Sequence, residues 1–460
     1  MYDLIVIGTG PGGYHAAIRA AQRGLSVAAI EDDAVGGVCL NTGCIPTKAL
    51  LHAAAELTRA RDAATYGLTF GEPDMDLDKL AGWRDGIVDK LSGGVDGLLR
   101  ARGIDVHKGR AQFVTADAVE VGGEQLSARQ FIIATGSRPA PLDGFDFEHP
   151  CILDSTTALQ LEDGIPQRFL AIGAGAIGLE FATIMQRFGA EVTVAEAMPD
   201  LLAGSDAEMT AYYARLLRRQ GIDLQFGTRA VDIEYGSDSV DVHLAGDDGS
   251  EQTHTFDRVL VAVGRQPASA GLGLDTIGVE CDERGFVAVD DAMRTSVDHI
   301  HAIGDVARPP LLAHKAMKEG LVAAANAAGE AQIFDYCNPN VIYSDPEWAA
   351  VGMTEAEAEQ RGINVRIGRF PLSASGRALT LNDSSGLIKV VGDADSDLLL
   401  GVHMVGPNAS DLIAEAGLAL EMAATVTDLK WTVHPHPTLA EGIMEAAEQL
   451  YGEAVHLPPG

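Results

Sequence analysis

Two cysteines five residues apart are the first residues of this chain whose type and spacing suit chemistry. Cys39 and Cys44 lie in the segment GGVCLNTGCIPTK. Five residues of regular helix would separate their Cα atoms by about 7.5 Å, beyond the roughly 6.8 Å limit for a disulfide, so a bridged pair requires a break in the helix. Pro46 favours a helix that begins at the proline. Cys44 would then lie just before a helix N-terminus, where the dipole stabilises a thiolate.

Two other interpretations of this cysteine pair remain open. A metal site would need two further ligands, and downstream only His52 is close in the sequence. Two buried, unpaired cysteines are the structural alternative. The remaining cysteines have no partner at a similar spacing, and we expect them to be small buried apolar residues: Cys151, Cys281 and Cys337.

A histidine and a glutamate near the end of the chain form a second candidate site. The segment HPHPTLAE contains His434, His436 and Glu441. A carboxylate that accepts a hydrogen bond from one imidazole nitrogen fixes the tautomer, so that the other nitrogen can take a proton from a thiol. The structural alternatives are turn histidines between prolines and a T-x-x-E capping box formed by Thr438 and Glu441. The residues taken alone favour these structural alternatives.

Regular elements must position these cysteine, histidine and glutamate side chains. The chain contains two copies of a strand–turn–helix–strand pattern that could do so. In the first copy, an apolar strand at residues 4–7 leads through a glycine-rich turn into a helix ending at Arg23, a stop at Gly24, a strand at residues 27–30 and then Glu31. The second copy has a strand at 169–172, a helix through 188, a stop at Gly189, a strand at 192–195 and then Glu196. The turns share G-x-G-x-x-G spacing, formed by Gly8, Gly10 and Gly13 and by Gly173, Gly175 and Gly178.

Each copy has the parts of a dinucleotide-binding βαβ unit. The glycines allow the backbone to approach a pyrophosphate, the helix N-terminus supplies N–H groups, and the acidic residue accepts from a ribose hydroxyl. A single glycine-rich turn would be weak evidence, but two complete units make a turn without ligand improbable. Glu196 would repel a 2′-phosphate, so the second site should prefer NAD to NADP. Two dinucleotides most economically mean a flavin and a nicotinamide that exchange hydride.

Composition narrows the class of protein further. The chain has 460 residues, 47% of them hydrophobic, and a net charge of −33, which argues against a nucleic-acid binder because such proteins need a basic stripe. Five cysteines fit a reducing compartment better than a disulfide scaffold. The N-terminus resembles no signal peptide, and every apolar run is interrupted before the roughly 18 residues of a membrane span. We therefore expect a cytoplasmic protein with no membrane span.

The order of the patterns predicts an α/β fold with two Rossmann-like dinucleotide-binding domains and a C-terminal α+β domain. The segments FIIATGSRP and VLVAVGRQP each resemble a strand that leaves a nucleotide domain. We expect four parts, in which the third completes the first nucleotide site and the fourth forms a dimer interface: residues 1–143, 144–265, 266–336 and 337–460.

The motifs together resemble a known family. After the first fingerprint come GGVCLNTGCIPTK, ATGSRP, GAGAIGLE, AVGRQP, AIGDV, LAHKAMKEG, VIYSDPE and HPHPTLAE. In this order, over essentially the whole chain, they resemble the pyridine nucleotide-disulphide oxidoreductases, and among these the dihydrolipoamide dehydrogenases. The resemblance implies FAD and NAD as cofactors, and oxidation of protein-bound dihydrolipoamide coupled to the reduction of NAD+.

The resemblance also implies residue roles. Cys39 would be the interchange thiol that faces substrate, and Cys44 the charge-transfer thiol against the flavin. His436 would be the base and Glu441 its orienting partner, both completing the active site of the neighbouring subunit in a homodimer. Further cofactor contacts are implied for the ion pair Lys48 and Glu180, for Asp305 and Ala313, for Gly136 and Gly264 of the two strand endings, and more loosely for Ala111 and Ala230.

Partners and alternatives follow from the same resemblance. The implied partner is a lipoyl-bearing acyltransferase or carrier protein of a 2-oxoacid dehydrogenase or glycine cleavage complex, which would offer a small basic domain to this acidic chain. The alternatives are another disulphide reductase of the family, or an FAD- and NAD-binding scaffold or redox sensor without turnover. Ala176 departs from the family pattern, because relatives often place a larger residue there to shield the flavin. We expect a more open flavin and faster side reactions with oxygen.

Overall fold

The computed structural model describes residues 1–71, 73–161 and 164–458. Its N-terminal part contains the first nucleotide unit, two helices that carry the cysteine motif, and a long amphipathic helix. The elements are β1 (Tyr2–Ile7), α1 (Pro11–Gln22), β2 (Val27–Glu31), α2 (Gly37–Asn41), α3 (Cys44–Asp62), α4 (Leu77–Ala101), β3 (Asp105–Lys108), β4 (Ala111–Thr115), β5 (Ala118–Val121), β6 (Glu124–Ile133) and β7 (Ser137–Pro139).

The first sheet is built around β1, which is apolar on both faces. Leu4, Ile5 and Val6 are fully buried, as expected for a central parallel strand covered on both sides. The strand order is β3-β2-β1-β6-β5-β4, and β1 runs parallel to both β2 and β6. The carboxyl end of β1 therefore opens directly into the first glycine-rich turn.

The second nucleotide unit repeats this arrangement. Its elements are β8 (Ile152–Leu153), β9 (Arg168–Ile172), α5 (Ala176–Phe188), β10 (Glu191–Glu196), α6 (Ala207–Arg219), β11 (Asp223–Phe226), β12 (Thr228–Tyr235), β13 (Val240–Gly246), β14 (Glu251–Phe256), β15 (Arg258–Val261) and β16 (Arg265–Pro267). The parallel sheet has the order β11-β10-β9-β15-β8, and β12-β13-β14 form a separate three-stranded sheet.

The two repeated strand endings pair with each other. β7 lies antiparallel to β16, with Ser137 opposite Pro267. Downstream, β17 (Ile300–Ala302) adds a parallel strand to β6 of the first sheet. The following helix, α7 (Ala313–Ala327), lies so close to α1 that a Cβ on Gly320 would be 2.4 Å from the Gly12 oxygen. Glycine is therefore required at this helix contact.

The C-terminal part is an antiparallel sheet covered by helices. Its elements are β18 (Asn340–Ile342), β19 (Glu347–Gly352), α8 (Glu355–Gln360), β20 (Val365–Pro371), α9 (Gly376–Thr380), β21 (Leu387–Asp393), β22 (Leu399–Gly406), α10 (Ala409–Glu421), α11 (Val426–Trp431) and α12 (Glu441–Gln449). The strand order is β18-β19-β22-β21-β20. Ile388, Met404 and Ile443 lie in the core between the sheet and its helices.

The structure confirms the predicted α/β class and both βαβ units. Gly24 and Gly189 have φ angles of 85° and 109°. These angles lie in the left-handed region, which glycine adopts most easily and which commonly follows the end of a helix. One prediction about the cysteines was wrong: Cys151 is buried, but Cys281 and Cys337 are exposed. Both exposed thiols lie outside the regular strands and helices. In such segments the spacing of apolar residues does not predict which side chains are buried.

Two further findings concern the described part of the chain. None of its helices is long and apolar enough to cross a bilayer. Within the same residues, no three His, Cys, Asp or Glu side chains gather in a way that could hold a metal ion.

Candidate active site

The cysteine motif contains a break between two helices. α2 ends at Asn41 and α3 begins at Cys44, with Gly43 between them at φ −145° and ψ −112°. A Cβ on Gly43 would lie 2.9 Å from the Val38 oxygen, so the turn depends on glycine. The predicted interruption of the helix is present. The predicted start at Pro46 was wrong, because α3 begins two residues earlier and the proline lies within its first turn, where no N–H donor is needed.

This turn brings the two thiols together. Both cysteines are free thiols and partly buried. A hydrogen bond from Cys39 and, to a smaller extent, the nearby Lys48 ammonium lower the pKa of Cys44 to about 7, although burial opposes the thiolate. The same hydrogen bond, together with burial, raises the pKa of Cys39. Cys44 is therefore the thiol that carries negative charge first, chiefly because of its neighbouring thiol.

An ion pair between two parts of the fold lies beside Cys44. Lys48 Nζ is 2.8 Å from both carboxylate oxygens of Glu180, which lies on α5. Glu180 Oε1 also accepts the Tyr343 N–H at 3.1 Å. The Tyr343 ring centroid is 4.6 Å from Lys48 Nζ. Burial opposes the charge on Lys48, but Glu180 and the Cys44 thiolate raise its pKa, so the ammonium form is favoured next to the thiol.

The first glycine-rich turn has the form of an anion site. A Cβ on Gly8 would lie 2.3 Å from the Ala134 oxygen and one on Gly13 would lie 1.9 Å from the Gly8 oxygen, whereas the nearest atom to one on Gly10 is 4.0 Å away. The outer glycines are thus required by the fold, and the middle one leaves space. No side chain caps α1, so its first N–H groups are free to bind a diphosphate.

Glu31 lies at the end of β2, facing this turn. Its Oε2 accepts both the Thr9 N–H at 2.8 Å and the Thr9 hydroxyl at 2.6 Å, and its Oε1 accepts the Asp33 N–H at 3.1 Å. A cavity of about 350 Å³ adjoins it, lined also by Ser92 and Lys108. The position suits the ribose and adenine end of a dinucleotide.

The second turn repeats these features. Cβ atoms on Gly173 and Gly178 would lie 2.5 Å and 1.9 Å from backbone oxygens, whereas one on Gly175 would have no atom within 4 Å. α5 also has no side-chain cap. Glu196 accepts the Ala174 N–H at 2.7 Å and the Met198 N–H at 2.8 Å. Both turns therefore fit the diphosphate of a dinucleotide, with a carboxylate beside it.

A polar group joins the strand endings to the 3₁₀ helix Gly304–Val306. The Ser137 hydroxyl donates to Asp305 Oδ2 at 2.6 Å, and Arg265 Nε donates to the Ser137 hydroxyl oxygen at 2.7 Å. Asp305 thus binds a residue of β7. Gly136 and Gly264 flank this group at positive φ, with open space beside each Cα.

The other predicted contacts lie on separate elements. Ala313 is the first residue of α7, whose N-terminus has no side-chain cap and so suits a carbonyl oxygen. Ala111 is buried at the start of β4, opposite Val121. Ala230 is on β12, opposite Leu244.

The histidine segment precedes α12. His436 Nδ1 is 2.8 Å from Glu441 Oε1, and Glu441 Oε2 accepts the Thr438 N–H at 2.7 Å. Partial burial opposes the charge on Glu441, but these two hydrogen bonds lower its pKa. Only one of the two hydrogen bonds of the alternative capping box forms, the one from the Thr438 N–H to Glu441. The Thr438 hydroxyl donates to the Pro435 oxygen instead, and the helix begins only at Glu441.

His434 and His436 occupy different surroundings. His434 Nε2 is 2.8 Å from Glu415 Oε1, and its side chain is 4% exposed, whereas the His436 side chain is 78% exposed. In residues 1–71, 73–161 and 164–458, no hydrogen bond or ion pair joins His436 to Cys39 or Cys44.

Comparison with known proteins places these features in a family. Residues 2–320 match the model described as pyridine nucleotide-disulphide oxidoreductase. Residues 338–447 match the dimerisation domain of the same family. The chain belongs to this family. As a pyridine nucleotide-disulphide oxidoreductase it is an NAD-dependent enzyme that uses FAD.

Individual relatives cover almost the entire chain. A dihydrolipoyl dehydrogenase of Thermus scotoductus is 57% identical over 457 residues, covering 99% of each chain. One of Haloferax volcanii is 44% identical over 463 residues, covering 99% of this chain and 97% of the relative. Among solved structures, the HOCl-induced flavoprotein disulfide reductase RclA from Escherichia coli has a TM-score of 0.87 at 27% identity, covering 97% of this chain and 99% of the other.

Sequence reasoning missed several residues of the oxidoreductase. Thr9 and Ala174 both donate a backbone N–H to the acidic residue of their unit, and superposing the two fingerprints would have shown their equivalence. Arg265, Glu415 and Tyr343 had no such signal, because their partners are distant in the sequence.

Proposed function

We propose that this chain is a dihydrolipoamide dehydrogenase that oxidises protein-bound dihydrolipoamide and reduces NAD+ to NADH. The observation that carries the proposal is the Cys39–Cys44 pair beside the Lys48–Glu180 ion pair, between two dinucleotide turns. The relatives named dihydrolipoyl dehydrogenase, one of them 57% identical, support this substrate.

The chain's residues have distinct tasks in this reaction. His436 of the partner subunit takes the proton of one substrate thiol, and Glu441 stabilises the imidazolium. The substrate thiolate attacks the Cys39 sulfur of the Cys39–Cys44 disulfide, and Cys44 leaves as a thiolate. The second substrate thiol then attacks the mixed disulfide, which releases lipoamide and leaves Cys39 as a thiol. Bound FAD supplies an acceptor for the electron pair of the dithiol and a hydride donor for NAD+.

Cofactor contacts are proposed for the residues whose surroundings fit them. The glycine turns and Glu31 would hold FAD, together with Gly136, Asp305, Ala313 and, more loosely, Ala111. Glu196 with its turn, Gly264 and, more loosely, Ala230 would hold NAD, and Lys48 with Glu180 would border the flavin. The four-part division at residues 143, 265 and 336 is retained as a proposal for how these sites are distributed.

Steady-state reduction of NAD+ and NADP+ by dihydrolipoamide tests the function. We expect NAD+ to be preferred, since Glu196 repels a 2′-phosphate, and activity to be lost in Cys44→Ser. Cys281→Ser is the matched control, because this thiol is exposed and outside the site. Activity that survives Cys44→Ser would overturn the mechanism, and a wild-type holoenzyme without activity would favour a scaffold role. Preference for NADP+ would overturn the role of Glu196.

Mixing two inactive variants tests whether the base comes from the partner. His436 is 78% exposed, and the neighbouring Trp431 and Val433 are 74% and 93% exposed, as suits a surface covered by a second copy. In a mixed dimer of Cys44→Ser and His436→Gln, one site would have both an intact thiol pair and an intact base. Random mixing should restore about one quarter of the wild-type activity. No recovery in dimers shown to have exchanged subunits would contradict a shared site.

The proposed partner is a lipoyl-bearing acyltransferase or carrier protein of a 2-oxoacid dehydrogenase or glycine cleavage complex. The net charge of −33 suits a small basic binding segment. Affinity for such a segment should fall as salt rises from 0.05 to about 0.5 M, and tight binding at high salt would contradict an electrostatic contact. A cytoplasmic location is proposed as well, because the reaction needs reduced thiols and the cell's NAD pool; fractionation of cells tests it.

A further inference from the structure

One short segment of the C-terminal part lies against the second nucleotide unit. It consists of residues 343–345, the first three of the four residues between β18 and β19. Each of its residues bonds a helix of that unit: Tyr343 N–H to Glu180 on α5, Ser344 hydroxyl with the Tyr213 hydroxyl on α6, and Asp345 with Arg187 on α5. The Tyr213 side chain is fully buried. The segment is thus held at Tyr343 itself and at the two residues that follow it.

Tyr343 extends from this segment to the cysteine site. Its ring centroid is 4.6 Å from Lys48 Nζ, while the two Glu180 oxygens lie 2.8 Å from the same nitrogen. The ammonium therefore lies between a carboxylate and the face of an aromatic ring, an arrangement that attracts a cation. The Lys48 side chain is still 30% exposed, and its flexible stem would otherwise allow the ammonium to turn towards water.

We propose that Tyr343 is a positioning residue for the redox centre, whose ring keeps the Lys48 ammonium beside Cys44 and thereby favours the Cys44 thiolate. Lys48 is one of the groups that lower the pKa of Cys44. Tyr343 thus acts on the thiol through the lysine. This inference deepens the site of the proposed function, but its test measures a thiol and not turnover, so either can fail alone.

Several charged or titratable groups face Cys44, each from a different element. Cys39 on α2 donates a hydrogen bond, Lys48 on α3 attracts the thiolate, and Glu180 on α5 repels it. Arg265 on β16 also faces the thiol and attracts its charge. The Tyr343 phenol also faces Cys44. Replacing the Tyr343 ring leaves the other four side chains in place, and the phenylalanine variant removes the phenol hydroxyl alone.

The test is the pH profile of Cys44 alkylation in the reduced holoenzyme. Iodoacetamide reacts with the thiolate, and mass spectrometry measures Cys44 separately from Cys39 between pH 5 and 9. In Tyr343→Leu, which keeps apolar cover but has no ring, we expect the apparent pKa of Cys44 to rise by about half a unit, with about threefold slower alkylation at low pH. Tyr343→Phe keeps the ring face and should keep the wild-type profile. Tyr336→Leu, at another half-exposed tyrosine, is the matched control.

Two further variants separate positioning from general damage. In a Lys48→Met background, Tyr343→Leu should cause no additional shift, because the residue through which it acts is gone. Pentafluorophenylalanine at position 343 keeps the ring shape but reverses the charge of its face. It should raise the apparent pKa of Cys44 as expected for leucine, and it keeps the proposal testable if the leucine variant does not fold. A wild-type profile in the fluorinated variant, or a shift that persists in the Lys48→Met background, overturns the proposal.

Discussion

The buried lysine of the C-terminal sheet carries the sharpest stability prediction. Lys389 on β21 is 1% exposed, and its Nζ lies 2.9 Å from Asp206, 3.0 Å from Glu208 and 2.7 Å from Glu355. Arg369 completes this Lys389 cluster by binding Glu208 at 2.6 Å. Asp206 caps α6 and Glu208 lies in its first turn, so both belong to the second nucleotide unit. The other members of the cluster belong to the C-terminal part. The cluster thus joins two parts of the fold.

Lys389→Met removes the buried cation and leaves three carboxylates facing one arginine. Removing one partner of a buried ion pair costs about 3–5 kcal/mol, because the remaining charge is left without compensation. At about 2–4 °C per kcal/mol for a domain of this size, the melting temperature should fall by roughly 6–20 °C. Asp206→Asn added to Lys389→Met should recover part of the loss, since it removes one of the uncompensated charges.

Thermal unfolding of the holoenzyme at pH 7, followed by calorimetry, measures this loss. The matched control is Lys79→Met, whose lysine is 85% exposed in its pair with Asp76 and should have no measurable effect. A fall of less than about 2 °C in Lys389→Met, or an equal fall in the control, would refute the assignment of the cluster as a buried ion network.

The cluster also predicts the direction of the acid response. Burial opposes ionisation of Asp206, but the hydrogen bond from Lys389 lowers its pKa below the ordinary value. The stabilisation is therefore present above about pH 4 and is lost as the pH falls through the lowered folded-state pKa. In Lys389→Met, the loss of stability at low pH that is due to Asp206 should vanish, and melting temperatures measured from pH 3 to 7 would show this. An unchanged dependence of the melting temperature on pH would contradict the prediction.

Three further outcomes are expected. A Cβ on Gly178 would lie 1.9 Å from a backbone oxygen, so Gly178→Ala should lower the melting temperature. A Cβ on Gly175 would have no atom within 4 Å, so Gly175→Ala should leave the melting temperature unchanged. This variant should weaken NAD+ binding measured by calorimetry. Ala176 is exposed at the start of α5, so Ala176→Val should slow NADH oxidation by oxygen, and equal rates would contradict a more open flavin. The hydrogen bond that His434 donates to Glu415 raises the pKa of His434, so its stabilisation is present below about pH 6.5 and is lost as the pH rises through the raised value. Glu415→Gln should flatten the melting temperature between pH 5 and 9.

Much of the site could be predicted because its signals are local in the sequence. The fingerprint glycines lie within six residues of each other, and the structure shows that Gly8 and Gly13 are required by backbone contacts within the same turn or its neighbouring strand. The proximity of Cys39 and Cys44 likewise depends on one short turn at Gly43. Such features follow from spacing and from the conformations that glycine alone adopts easily.

Other features depend on residues that meet only in the folded chain. Lys48 and Glu180 are 132 positions apart, and Tyr343 is 163 positions from Glu180, so no periodicity of helix or strand relates them. The largest cause that lowers the pKa of Cys44 is the hydrogen bond from the Cys39 thiol. Spacing does not predict its size, because charge energies depend on distance and burial.

The two dinucleotide units, the cysteine pair and the family to which they belong could be predicted from motifs alone, since each motif consists of contiguous residues. Three other features became evident only in the folded chain: β7 pairs with β16, Cys281 and Cys337 are exposed, and the His436 side chain beside Glu441 is exposed. The physical reason is that local pattern sets backbone conformation, whereas burial and charge at a site are set by whichever distant elements pack against it.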